Sequence, residues 1–600
     1  MASTTISAFA NYPNPVEGPA TTYEVPPESN PVLRGYPLVA GSALVARIGY
    51  LQRFFWNNAG FGKIKDLGVL DGVPLTFDPC VTPLGPSGPM IDFEPALLAA
   101  KHIPSKAKYY SINDYHELYK SGKTTPLDVA KALLPLTKPG SCKDKKASYE
   151  DAWADNHGND ELVLEAAKAS TARWAAGKQL SILDGVPIGV KDDLAVEGYR
   201  NHIGMKYNAK SPTFDRQAKS AWCVQVLQDA GAVVLGKNRM HELGSDTCGL
   251  NIAQGTPTNH MNNEYYPGGS SSGPASALCS GMVPLTLGTD AGGSIRIPAS
   301  FNGLYGLKPS HHRAGFMDSS MCVTGPMAAN VADLTIGYRF MTQANPSDGV
   351  QAAFARSLPP APSAKKIMGV YRDWWNAADP DVAQQCNKAM DYFAQQRGYE
   401  VVDISIPHLG DAQLAHGIIC LVEMAEGARR RTANPADWLS LVCPSNKLLL
   451  SVATATPAAD YLKFNAMRTL LMQHFAHLFR KYPGLLIMSP TTPIAGWPKH
   501  PGDETHGLND GNTALRNMMY IFLANLTGTP SVSVPVGYTP AKQGDGDLPI
   551  GLLATAEWGA EEQLLLFAGE AEEYLHVRYP DGRRRPDGWL DVMALARELK

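Results

Sequence analysis

Two runs of small residues, Pro267-Gly268-Gly269-Ser270-Ser271-Ser272-Gly273-Pro274 and Gly288-Thr289-Asp290-Ala291-Gly292-Gly293-Ser294-Ile295-Arg296, constrain this chain more than anything else in it. Glycine pairs permit backbone conformations closed to other residues, and turns built from them let several N–H groups converge on one point. Such turns need a rigid frame. Continuous apolar stretches bounded by Gly or Pro, at 186–190, 232–235, 283–287 and 485–489, read as buried strands, and helical stretches alternate with them. The predicted fold is α/β, a mixed β-sheet core covered by helices on both faces.

Composition narrows what such a fold can do. Hydrophobic residues make up 44% and charged residues 18% of 600, enough to bury a sizeable core. The 53 basic and 57 acidic side chains leave a net charge of −4, which gives a polyanion no attractive field, so nucleic acid is not an expected partner. Nine cysteines are scattered without a C-x-x-C pair, as expected of reduced thiols in a cytoplasmic protein. The first residues lack the basic and apolar regions of a leader, and no apolar run is long enough to span a bilayer.

The organisation expected is an N-terminal extension, 1–105, docked on a catalytic domain, 106–600. Leu44, Ile48, Leu51 and Phe55 fall on one face at helical spacing and are the expected docking face. Helices are predicted at 114–120 and 127–134. The stretch 340–480 reads as a helix-rich subregion that shapes a pocket, together with residues near Gly244 and Ser245.

The chemistry centres on Ser294. Converging N–H groups in its glycine turn would form an oxyanion hole, and the serine would attack a carbonyl held there. A serine needs a base, and neither glycine-rich run contains a histidine. Lys191, emerging from an apolar run that favours a neutral amine, is the alternative, acting through Ser270. Gly269-Ser270-Ser271-Ser272-Gly273 also fits G-x-S-x-G with Ser271 as nucleophile, but the residues before it read as a loop where that motif needs a strand. Asp290 and Arg296 read as an ion pair bracing the loop. His241-Glu242 and His116-Glu117 begin H-E-x-x-H, yet Ser245 and Lys120 stand in the closing positions, so no metal and no cofactor are expected.

These residues carry a resemblance. Gly185-Val186-Pro187-Ile188-Gly189-Val190-Lys191-Asp192, the Gly-Gly-Ser-Ser run at 268–271, the segment 288–296 and Gly306-Leu307-Lys308-Pro309 resemble the amidase signature family of serine hydrolases, over about residues 108–575. The resemblance implies a Ser–cisSer–Lys triad, with Ser294 as nucleophile, Ser270 in a cis peptide and Lys191 as base. It also implies an oxyanion hole from the N–H groups of Ala291, Gly292, Gly293 and Ser294, and a supporting role for Ser271. Where the family has Ser-Ser-Gly-Gly-Ser, this chain has Ser270-Ser271-Ser272-Gly273-Pro274, a proline suited to opening a helix. The expected activity is hydrolysis of a small or medium uncharged carboxamide, the substrate being the expected partner and a homodimer possible. The alternatives are a glutamine-hydrolysing component of an amidotransferase, a carbamate or ester hydrolase, and an inactive binding protein. Asp192 and Asp193 would oppose a basic lysine if they faced it, and are expected to point elsewhere.

Overall fold

The computed structural model describes residues 8–598 apart from 27, 29, 86–107, 142–147, 155–158, 316, 362, 433 and 580–582. A ten-stranded mixed sheet forms its centre. The strands in chain order are β1 (Pro187–Lys191), β2 (Val233–Asn238), β3 (Leu285–Asp290), β4 (Tyr305–Lys308) and β5 (Val323–Ala328), then β6 (Ile367–Val370), β7 (Glu400–Asp403), β8 (Leu485–Pro490), β9 (Ser531–Pro540) and β10 (Asp547–Thr555). Across the sheet they run β7-β6-β8-β10-β9-β4-β5-β3-β1-β2. β1 is parallel to both β2 and β3, β6 is parallel to β7 and β8, and the pairs between these groups are antiparallel. Because β1 and β3 are parallel, Lys191 and Asp290 end their strands on the same edge of the sheet. Of the two large hydrophobic cores, one contains Ile188, Val234 and Leu287 and the other contains Leu486, Val534 and Ile550.

The four strands read from the sequence are all present, displaced by no more than three residues at either end. The 340–480 stretch is rich in helix and also holds two short strands that its reading does not include. It contributes β6 and β7, four residues each, which extend one side of the sheet. Strands this short leave little period-2 signal beside the helices of 17, 22 and 24 residues in the same stretch.

In the N-terminal segment, α1 (Gly35–Val45) and α2 (Gly49–Asn58) are separate helices, with Ile48 in extended backbone between them. That break resets the helical phase, so the expected face does not hold. Leu44 is 53% exposed and Ile48 39%, while Leu51 and Phe55 are half-buried. In α1 and α2 the apolar residues buried in the core are Leu38, Val45 and Trp56, and Phe61, Ile64, Leu70 and Val81 join them further along the segment. The segment is tied down further by antiparallel pairing of Leu33–Arg34 with Leu508–Asn509 and by bonds from Trp56 Nε1 to Thr456 Oγ1 (3.0 Å) and from Tyr12 to Glu557 (2.7 Å). The boundary expected at 105 falls outside the described residues.

Three further helices position the site. All eight residues of α3 (Ser272–Cys279) are buried, and at Gly273 a Cβ would sit 2.5 Å from the carbonyl oxygens of Ala152 and Arg239. Only glycine lets α3 start against those two backbones. The proline that departs from the family pattern, Pro274, occupies the first turn of α3, where no intrahelical donor is lost. The short α4 (Arg296–Phe301) follows the turn that carries Ser294, and α5 (Leu409–Arg430) lies over it.

Candidate active site

Lys191, fully buried at the end of β1, directs its Nζ at Ser270 Oγ (2.8 Å), Thr289 Oγ1 (2.6 Å) and the Thr289 carbonyl (3.2 Å). The Gly269–Ser270 peptide is cis. The Ser271 N–H donates to the Ser294 carbonyl (3.1 Å), and its hydroxyl donates to the Thr289 carbonyl (3.3 Å), so the two glycine-rich runs are laced together at Thr289 and Ser294. Among the described residues the Ser294 hydroxyl has no hydrogen-bond partner in the chain, and Ser294 is 7% exposed.

The turn carrying Ser294 is braced from below. Asp290, at the end of β3, accepts from Gly293 N–H (2.7 Å), Ile295 N–H (3.1 Å) and both Nε and Nη2 of Arg296 (2.9 Å each). Asn525 donates to the same carboxylate (2.9 Å) and accepts from Arg296 Nη2 (2.6 Å). Burial opposes ionisation of Asp290, but the Arg296 guanidinium and these hydrogen bonds hold its carboxyl well below the usual range. The Gly293 N–H, expected in the oxyanion hole, is thereby committed to the brace. Those of Ala291, Gly292 and Ser294 have no acceptor among the described residues. Gly293 has φ +103° and its absent Cβ would meet Ile521 at 2.4 Å, so both conformation and space require glycine.

A buried lysine beside a serine in a glycine-rich turn is an arrangement for acyl transfer, and the comparisons with known proteins agree. The amidase family model matches residues 142–565. The chain belongs to the amidase family. A fatty acid amide hydrolase of Medicago truncatula is 31% identical over 81% of this chain and 79% of its own length. A component of the glutamyl-tRNA(Gln) amidotransferase of Chloroflexus aggregans is 28% identical over 79% of this chain and 98% of its own. The crystal structure of a bacterial aryl acylamidase of the amidase signature family superposes with a TM-score of 0.64 at 20% identity, covering 82% of this chain and 99% of that one. The activity of this amidase is hydrolysis of a C–N amide bond.

Some features of the amidase site differ from expectation. Asp192 does point away from Lys191, accepting from the N–H groups of His202 (3.1 Å) and Gly204 (3.2 Å). Asp193 does not. Its carboxylate lies 3.5 Å from Lys191 Nζ and accepts from Thr289 Oγ1 at 2.6 Å. The antiparallel pairing of β3 with β5 holds Thr289 there, and a sequence reading has no access to that register. Gly244 lies against Ser270, with its missing Cβ 3.3 Å from Oγ, whereas the Ser245 hydroxyl turns back to the Glu242 carbonyl (3.1 Å).

Sequence reasoning misses Thr289, Asn525 and His416. Thr289 lies inside the glycine-rich run 288–296, but Asn525 and His416 arrive from helices more than 100 residues downstream. His416, on α5, donates from Nε2 to the Ala291 carbonyl (2.8 Å). Two sets of possible metal ligands, Asp78 with His311 and His312, and His241 with Asp246 and Cys248, have ligand atoms within 4.8 Å of one another. In the first, both imidazole Nε2 atoms lie against the Asp78 carboxylate (3.1 and 2.9 Å), an arrangement that ties the N-terminal segment to the loop after β4. In the second, Asp246 accepts from the backbone N–H of Cys248 (3.2 Å), and burial pushes the Cys248 thiol well up.

Proposed function

We propose that Ser294 is the nucleophile of this amidase, Ser270 the proton bridge and Lys191 the base, acting on amides with an apolar acyl chain. The observation that carries the reading is the 2.8 Å contact of a wholly buried lysine with Ser270, in a segment bonded through Ser271 to Ser294. Ser294 Oγ attacks the carbonyl carbon while its proton passes through Ser270 to Lys191 Nζ. The carbonyl oxygen becomes an oxyanion facing the N–H groups of Ala291, Gly292 and Ser294. Collapse breaks the C–N bond, and the leaving nitrogen takes the proton back by the same path. Water, deprotonated by that relay, then cleaves the acyl-enzyme ester, releasing the carboxylate and restoring Ser294.

The apolar acyl group is supported by four plant relatives, each named a fatty acid amide hydrolase, that align with 81% or 82% of this chain. A component of an amidotransferase would instead hydrolyse glutamine in a complex. Assaying the purified chain alone with acyl amides of graded length and with glutamine separates the two, and the expected result is turnover of the acyl amides without a partner. A fluorophosphonate probe should modify Ser294, identified by mass spectrometry. Ser294→Ala and Lys191→Arg should each lose at least about a thousandfold in kcat, since the first removes the nucleophile and the second a base able to shed its proton. Modification at Ser271 with Ser294 untouched would refute the assignment.

A further inference from the structure

We propose that His416 is a positioning residue that aims the Gly292 N–H into the oxyanion hole by gripping the other end of the same peptide group. The inference rests on the assignment of Ser294 as nucleophile. Ala291 C=O and Gly292 N–H belong to one peptide unit, and the Gly269–Ser270 bond is the one cis peptide among the described residues. In a trans peptide the two groups point in opposite directions. Whatever holds the carbonyl therefore sets the direction of the N–H.

The holder is His416 Nε2, 2.8 Å from the Ala291 oxygen. A carbonyl can only accept, so Nε2 carries the hydrogen and the neutral ring has a bare Nδ1. That Nδ1 is buried without a hydrogen-bond partner among the described residues. Burial pushes the imidazole down to about 4, which keeps this single tautomer across the neutral range. The ring also packs on the face of Gly292, where a Cβ would come within 2.9 Å of His416 Cε1 and 3.2 Å of Met518 Sδ. One turn further along α5, Cys420 Sγ lies 3.5 Å from Nε2 and 3.7 Å from the Ala291 oxygen, closing the other side. The peptide is thus held by its carbonyl and by its α-carbon face. Its N–H, with no acceptor among the described residues, is left on the side away from α5. The Gly293 N–H is already committed to Asp290, so the hole has few donors and depends on each one.

The test compares His416→Met, which keeps volume but removes the donor, with His416→Gln, whose amide nitrogen can still reach the carbonyl. The readouts are the rate of Ser294 modification by a fluorophosphonate, whose phosphoryl oxygen occupies the hole, and the split of kcat from KM on an acyl amide. With thermal unfolding used to confirm folding, His416→Met should react about 10- to 100-fold more slowly, with kcat falling and KM little changed. His416→Gln should stay within about threefold of the parent, because the donor is retained. A His416→Met protein that reacts at the parent rate overturns the proposal. So does a His416→Gln protein as slow as His416→Met, which would show that the donor to the Ala291 carbonyl does not set the rate. Failure of the parent protein to react at Ser294 would instead bring down the assignment of the nucleophile.

Discussion

Asp290 shows how one side chain can carry both stability and geometry. Its two oxygens satisfy two backbone N–H groups of the turn around Ser294 and both arms of a wholly buried Arg296. Asp290→Asn would place an amide N–H₂ against one of these donors and leave the guanidinium without its counter-charge. Breaking one partner of a buried pair costs about 3–5 kcal/mol. Urea denaturation should show a loss of that size, together with slower modification of Ser294 as the turn loosens. A variant within about 1 kcal/mol of the parent would mean that the pair contributes little to holding the turn. The residue types of this brace stand close together in the sequence, six positions apart, which is why an ion pair can be read from it. Asn525, which bonds to both partners, reaches them from 229 positions beyond Arg296, a proximity made by the fold alone.

At the scale of elements, α1 and α2 show why periodicity identifies a helix more reliably than the face it buries. A continuous helix through 44–55 would have presented Leu44, Ile48, Leu51 and Phe55 together, but the extended backbone at Ile48 rotates the second half out of phase. Trp56 becomes the anchor instead. It is fully buried, bonded to Thr456, covered by Arg53 at 4.4 Å and packed beside Phe61 at 6.0 Å. Trp56→Ala should cost about 3–5 kcal/mol, as large buried aromatic truncations do. If the N-terminal segment folds as one unit with the sheet, this loss shifts a single cooperative transition in chemical denaturation. A separate early transition, with the main one unmoved, would show the segment to be an independently melting layer.

For the molecule as a whole, buried carboxyls set a dependence on pH. Asp333, on the helix Val331–Met341, accepts from the Ile112 N–H (3.0 Å) and from the Asn330 amide (2.7 Å), joining segments 221 positions apart. Burial pushes its carboxyl up to about 8. An unfolded aspartate releases its proton near 4, so the folded state binds the extra proton between those values. Its contribution to stability is therefore fully present below about pH 4 and is lost as pH rises towards 8. Asp333→Asn resembles the protonated carboxyl and cannot ionise. Its unfolding free energy relative to the parent should rise by at least about 1 kcal/mol from pH 5 to pH 8, measured by denaturant titration at each pH. An unchanged difference would show that Asp333 does not retain the proton.

The sequence by itself determined the mixed α/β class, four strands of the sheet and the two glycine-rich turns. These are local properties, written in the period of apolar residues and in positions where only a small side chain leaves room for the backbone. Membership of the amidase family was legible for the same reason, because its motifs are short and contiguous. The tertiary structure decided what those turns touch. The Thr289 hydroxyl lies between Lys191 and Asp193, the Gly293 N–H turns to Asp290, and His416 reaches the Ala291 carbonyl across 125 positions. Contacts of this kind depend on strand register and helix packing, which are set by the burial of the whole chain and leave no signal in any short stretch of it.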